Sequence, residues 1–142
     1  MAKQLILIVE DNEKSLKLLK DVLRSKDYET VEATTAEEGL ELVRTQQPAL
    51  ILMDIRLPGM NGVTALMKLR EDASTKEIPV IAVTASAMPM DRGRIMSAGF
   101  DGYITKPISV KEFLVEVSDV LEKHSRAVGA GGTSERRRGE ES

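Results

Sequence analysis

The stretch Ala49–Gly62, ALILMDIRLPGMNG, decides the fold. Five apolar residues run without interruption into one acid, Asp54, and the chain then turns through Pro58, Gly59 and Gly62. A half-buried strand alternates apolar and polar residues. An unbroken apolar run means burial on both faces, as in a parallel sheet covered by helices. Leu5–Val9 and Val80–Val83 repeat the pattern. Tyr28–Ala33 and Gly102–Thr105 are weaker strands of the same series.

Helical spacing fills the intervals. Leu16, Leu19, Val22 and Leu23 share one face of a first helix. Thr35 and Glu38 have capping-box spacing ahead of Leu40 and Val43. Val63, Leu66 and Met67 mark a third helix after Gly62, and a weakly patterned fourth spans Asp91–Ala98. The fifth is the clearest. Ser109 and Glu112 form a capping box, followed by Val110, Phe113, Leu114, Val117 and Leu121 at helical spacing. Strand and helix alternating five times predict a doubly wound α/β fold, (βα)5, with short connections.

The chain of 142 residues suits one domain, with 42% hydrophobic and 30% charged residues. The domain is expected over residues 1–124. After His124 the sequence SRAVGAGGTSERRRGEES becomes Gly-rich and polar, which predicts a disordered tail over 125–142. Arg136–Arg138 are balanced by Glu135, Glu140 and Glu141 and read as a solvated run. Aromatics are only 3%, too few for a base-stacking surface, and the net charge of -3 gives no attraction to nucleic acid or anionic lipid. The chain has no cysteine, which excludes disulfides, thiolate metal sites and cysteine nucleophiles and fits a cytoplasmic location. Its apolar runs are far shorter than the ~20 residues of a membrane span.

In open parallel sheets, ligands bind beyond the carboxyl ends of the strands. Glu10 and Asp11 follow the first strand and Asp54 ends the third, so three carboxylates are expected at one edge. Two unit charges ~4 Å apart repel by about 4 kcal/mol at an effective dielectric of ~20. Lys106, after the fifth strand, is placed to offset them. A hard all-oxygen site also suits Mg²⁺. Thr84 ends the fourth strand and offers a hydroxyl donor. Singly, each residue has an ordinary explanation: a turn acid, a helix cap at Asp11 or Asn12, a strand-end threonine, a surface lysine. Jointly, one at each of four strand ends, they describe a phosphoryl-accepting site in which the Asp54 carboxylate attacks phosphorus in line.

The segments LIVEDN, LILMDIRLPGMNG, IPVIAVTASA and YITKPIS resemble the receiver domains of two-component response regulators, the CheY-like family, over roughly Lys3–Lys123. Within it, IVEDNE and KPISV are similar to stand-alone, single-domain receivers of the DivK type, regulators of bacterial cell division and polarity. The resemblance implies a flavodoxin-like five-stranded parallel sheet of order 2-1-3-4-5. It implies Asp54 as phosphoacceptor and Mg²⁺ held by Asp11, Asp54 and the Arg56 backbone carbonyl, with Glu10 acting through water. Thr84 and Lys106 would bind the phosphoryl group, Thr84 and Tyr103 would form the switch pair, and Lys106–Pro107 would be cis. Arg56 and Ser86 flank the expected path of the hydrolytic water, and their substitution is expected to change the lifetime of the phosphorylated state more than its formation.

The implied partners are a sensor histidine kinase or histidine phosphotransfer protein and a downstream signalling protein, met through the fourth helix, fifth strand and fifth helix. Nucleic acid and membrane are not among them, and the chain is expected to be a monomer or weak dimer. The expected role is a switch that assists its own phosphorylation and dephosphorylation, not an enzyme. One alternative is a phosphorylation-independent scaffold. The other is an aspartate-nucleophile phosphatase, which resembles D-x-D after its first strand, whereas position 56 here is Arg. Tyr28 reads as edge-strand packing, Met88, Met90 and Met96 as packing around the fourth helix, and His124 as a helix-end residue.

Overall fold

The computed structural model describes residues 3–57, 59–85 and 89–131. Strands β1 (Leu5–Val9), β2 (Glu29–Ala33), β3 (Leu50–Asp54), β4 (Val80–Thr84) and β5 (Gly102–Thr105) alternate with helices. The helices are α1 (Glu13–Ser25), α2 (Ala36–Gln46), α3 (Gly62–Glu71), α4 (Pro89–Ala98) and α5 (Val110–Gly131). All strand pairs are parallel, in the order β2-β1-β3-β4-β5 that flavodoxin and CheY share. The order reverses between β1 and β3, which opens the crevice at their carboxyl ends.

Every residue of β3 and β4 is buried, as the unbroken apolar runs require. Alternate side chains of the central strands feed two separate cores. Leu7, Val9, Ile51, Met53, Val80 and Ala82 face one layer, where Leu40, Val43, Leu66 and Leu69 from α2 and α3 pack, with Ile95 of α4. Ile6, Ile8, Leu50, Leu52, Ile81 and Val83 face the other, with Leu19 and Leu23 of α1 and Phe113 and Val117 of α5.

The helix starts follow local chemistry. Asn12 caps α1 by accepting from the Ser15 amide, and Thr35 caps α2 by accepting from the Glu38 amide. Glu38 Oε1 reaches back to the Thr34 amide at 2.9 Å, one residue earlier than the capping-box pattern implies. Asn61 caps α3 by accepting from the Thr64 amide at 2.9 Å, which explains the asparagine in GMNG.

Two residues that mark helices lie off the buried stripe, and one sequence expectation is corrected. Met67 is exposed, because α3 presents Ala65, Leu66 and Leu69 to the core and turns Met67 outward. Val110 stands in the exposed first turn of α5, ahead of the buried stripe that starts at Phe113. His124 is not a helix-end residue, since α5 continues to Gly131 through the first part of the expected tail. Residues 132–142 lie outside the described residues. α4 starts two residues before Asp91, with Pro89 in its first turn, where a missing N–H leaves no bond unmade. Tyr28 precedes β2 and packs half-buried against the α1/α5 core.

Candidate phosphoryl-accepting site

The parallel ladders bring four strand ends to one edge. Val9 is level with Met53, Asp54 with Val83, and Thr84 with Thr105. Backbone bonds extend beyond the strands. The Glu10 amide donates to Ala33 O (3.0 Å), Ile55 to Val83 O (3.1 Å) and Lys106 to Thr84 O (2.8 Å). Glu10, Asp54 and Lys106 are thus mounted on rigid backbone. The Lys106–Pro107 peptide is cis, as the resemblance implied.

Glu10, Asp54 and Thr84 are buried polar residues at 1%, 5% and 3% exposure, while Asp11 is exposed. Lys106 Nζ lies 3.0 Å from Glu10 Oε1 and 3.5 Å from Asp54 Oδ2. It donates to Glu10 Oε2 at 3.2 Å, and this oxygen also accepts from the Asn12 amide at 3.1 Å. Asp54 Oδ1 accepts from the Arg56 amide at 2.9 Å, which turns the chain as soon as the strand ends. The turn closes where the Gly62 amide donates to Ile55 O at 2.9 Å. A Cβ at Gly62 would stand 2.7 Å from Asp54 O, so only glycine fits against the back of the acid.

Burial pushes the Glu10 carboxyl up to about 7, reinforced by its hydrogen bond to the Asp54 carboxyl and only partly offset by Lys106 and the Asn12 amide. Desolvation acts to lower the Lys106 ammonium, but hydrogen bonds and charge from Glu10 and then Asp54 outweigh it, and the net direction is upward. Lys106 therefore stays cationic beside the acids.

Carboxylate oxygens of Glu10, Asp11 and Asp54 lie within 4.8 Å of one another. Glu10 Oε1 is buried and makes no hydrogen bond, despite its closeness to Lys106. A buried carboxylate oxygen that makes no hydrogen bond, in an all-carboxylate cluster, fits a hard divalent cation that keeps water ligands, which is the preference of Mg²⁺.

That geometry sets a pH dependence. Below pH 4.5 Glu10 is protonated in both folded and unfolded chains. From 4.5 to about 7 the unfolded chain releases the proton and the folded chain keeps it, so stability falls as pH rises through this window. The loss at pH 8 is on the order of 3 kcal/mol. Metal-free protein is expected to melt at a lower temperature at pH 8 than at pH 5.5, and millimolar Mg²⁺ to restore much of the difference by binding the ionised cluster. Thermal melts at the two pH values check this. A metal-free melting temperature that rises across the window contradicts it.

The structure brings together Glu10, Asp11, Asp54, Thr84 and Lys106, each at its expected strand end. Thr84 lines a cavity with Arg56. Tyr103 is half-buried on β5, packed against the α2/α3/α4 core, with its amide donating to Glu116 Oε2 at 3.2 Å. Ser86 and Met88 lie outside the described residues, as does the side chain of Met90, while Met96 is exposed. Sequence reasoning missed Asn12 as the donor that fixes Glu10 and Arg94 as a neighbour of Thr84. The signal at Asn12 was its adjacency to two acids. At Arg94 it was a cation on a helix with almost no apolar stripe.

The family model of the response regulator receiver domain matches residues 6–118. This chain belongs to the response regulator receiver domain family. It is 44% identical over 116 residues to the polar-differentiation response regulator DivK of Brucella ovis, covering 82% of this chain and 94% of that protein. The same identity and coverage hold for the protein of that name from Brucella anthropi. A CheY-like receiver domain protein from Methanospirillum hungatei superposes with a TM-score of 0.80 at 31% identity, covering 89% and 99% of the two chains. The receiver domain of a Pseudomonas aeruginosa sensor histidine kinase superposes at 0.78 with 30% identity, covering 85% and 99%, and its structure holds a magnesium ion in the active site cleft. Among the described residues no helix is long and apolar enough to cross a membrane.

Proposed function

We propose that this chain is the phosphoryl-accepting switch of a two-component phosphorelay, with Asp54 as acceptor. The observation that carries the reading is the Lys106 ammonium held between two buried carboxylates at the carboxyl edge of the sheet. A phosphohistidine of a sensor kinase or phosphotransfer protein is the donor. An Asp54 carboxylate oxygen attacks phosphorus, the P–N bond breaks, and its electron pair stays on the departing imidazole nitrogen. An acyl phosphate results.

Lys106, already within 3.5 Å of Asp54, pairs with a phosphoryl oxygen, and the Thr84 hydroxyl donates to another. The Arg56 amide holds Asp54 Oδ1 in place for attack. Asp11, Asp54 and the Arg56 carbonyl would hold Mg²⁺, with Glu10 behind a water, and the ion would neutralise the phosphoryl charge. Movement of Thr84 toward the phosphoryl group, followed by Tyr103, alters the α4–β5–α5 face and with it the affinity for a downstream protein. Hydrolysis resets the switch. Water attacks phosphorus, the P–O bond to Asp54 breaks, and carboxylate and inorganic phosphate separate. Arg56 and Ser86 flank that water and set the lifetime. The DivK relatives support a role in polar differentiation, and the composition supports a cytoplasmic setting.

The test is incubation with acetyl phosphate, with and without Mg²⁺, beside Asp54→Asn, read by intact mass. A gain of one phosphoryl group that needs both Mg²⁺ and Asp54 is expected. No gain, where a control receiver is modified, would support the scaffold reading.

A further inference from the structure

A cavity of about 300 Å³ opens beside the site, between the ends of β3 and β4 and helix α4. Its lining includes apolar Val63, Ile95 and Ala98 together with Thr84, Arg56 and Arg94. Both arginines are exposed. Among the described residues neither guanidinium has a hydrogen bond or a carboxylate partner, whereas Arg24, Arg44 and Arg70 all do. Two guanidinium groups thus border one small space whose lining, among the described residues, includes no acid, next to the threonine at the end of β4.

The two cations sit on different elements. Arg56 is tied by its amide to Asp54. Arg94 rides on α4, whose buried residue among those described is Ile95. Turning the Asp54 carboxylate into an acyl phosphate adds about one negative charge at the edge of this cavity. That charge attracts both guanidinium groups, and the helix-borne one would carry α4 with it.

We propose that Arg94 and Arg56 form a cationic clamp for the phosphoryl group on Asp54, with Arg94 the arm that draws α4 toward the site. This rests on Asp54 being the phosphoacceptor. The clamp makes a prediction of opposite signs: a nearby cation favours the phosphoryl anion and disfavours Mg²⁺ in the acidic cluster. Simple damage to the site would weaken both.

The experiment measures two affinities in the full chain: Mg²⁺ alone, and beryllofluoride, a stable phosphoryl mimic, at saturating Mg²⁺. In Arg94→Gln, beryllofluoride affinity is expected to fall about threefold to tenfold while Mg²⁺ affinity rises by up to about twofold, as for one screened charge near the site. Arg94→Lys should recover most of the loss, and Arg56→Gln combined with Arg94→Gln should deepen it. The gap between wild type and Arg94→Gln should narrow as salt rises from about 0.05 to 0.5 M. Lys123→Gln, which removes a charge near Pro79 and Asp101 at the other end of the sheet, should change neither affinity. An unchanged beryllofluoride affinity in Arg94→Gln, a parallel fall of both affinities, or an equal effect of Lys123→Gln overturns the clamp. Wild-type protein that binds no beryllofluoride at saturating Mg²⁺ instead overturns the phosphoacceptor reading beneath it.

Discussion

Lys106→Met is expected to slow phosphoryl transfer from acetyl phosphate about a hundredfold, the usual consequence of removing one preorganised charge from a transition state that gains negative charge. The substitution keeps the length of the stem and deletes only the ammonium. What remains is Glu10 and Asp54, both buried, facing each other with no cation between them. Removing one partner of a buried ion pair can cost about 3–5 kcal/mol. Here the cost has an outlet. Lys106 is among the groups that pull Glu10 down, so without it the Glu10 carboxyl titrates higher still and stays protonated over a wider range. The folded chain then retains its proton well past the point where the unfolded chain has lost it, so the variant loses little stability at pH 5.5 and much more at pH 8. Thermal melts at both pH values, with intact-mass time courses at pH 7, check the two halves separately. A variant that melts and is phosphorylated like wild type would place Lys106 outside the site.

The second large effect lies at the opposite end of the sheet. Arg70, at the end of α3, donates from Nη1 to the carbonyls of Lys76 (3.0 Å) and Ile78 (2.7 Å). Its Nη2 donates to Gly99 O (3.3 Å) and Asp101 Oδ2 (2.9 Å). Asp101 in turn accepts the Val80 amide at 2.8 Å and gives its own amide to Val80 O at 2.8 Å. One guanidinium therefore fastens α3, the approach to β4 and the corner between α4 and β5. Arg70→Leu leaves three carbonyls and a carboxylate without this donor. At about 1 kcal/mol for each lost bond in a half-exposed setting, stability is expected to fall by about 4 kcal/mol and the melting temperature by about 15 °C. Arg70→Lys keeps the charge but not the planar fork, and should recover less than half. Phosphorylation of whatever remains folded should proceed as in wild type, because Arg70 touches no residue of the site. Urea titrations with the intact-mass assay decide it, and a lysine variant as stable as wild type would show that charge alone is sufficient.

The contrast between these two arginine and lysine positions shows what the sequence carries and what it does not. β1, β3 and β4 are legible because a strand covered on both faces must be apolar throughout. The positions of Glu10, Asp54, Thr84 and Lys106 are legible because a strand end is a fixed place in this topology. β2 is harder: ETVEA lies at the sheet edge and mixes charge with apolar residues. α4 is harder again, with Ile95 and Ala98 its few inward residues among those described. Met67 misleads, because a methionine next to a buried leucine continues the apolar pattern without continuing the buried stripe. The need for glycine at position 62 arises from the back of Asp54, and the contacts of Arg70 to Gly99 and Asp101 join residues far apart in the chain. No local pattern encodes them. The pairing of Arg56 with Arg94 across a cavity is of the same kind.

The two cores keep the faces of the sheet apart. The outward positions of α5, among them Lys111, Glu112, Val115 and Asp119, are exposed, and the layer beneath them meets β3 at Leu50 and Leu52. None of these outer positions belongs to the acid cluster at the end of β3, so they can vary while its members are kept. That makes the chain a chassis on which recognition can be rewritten around a fixed set of acids.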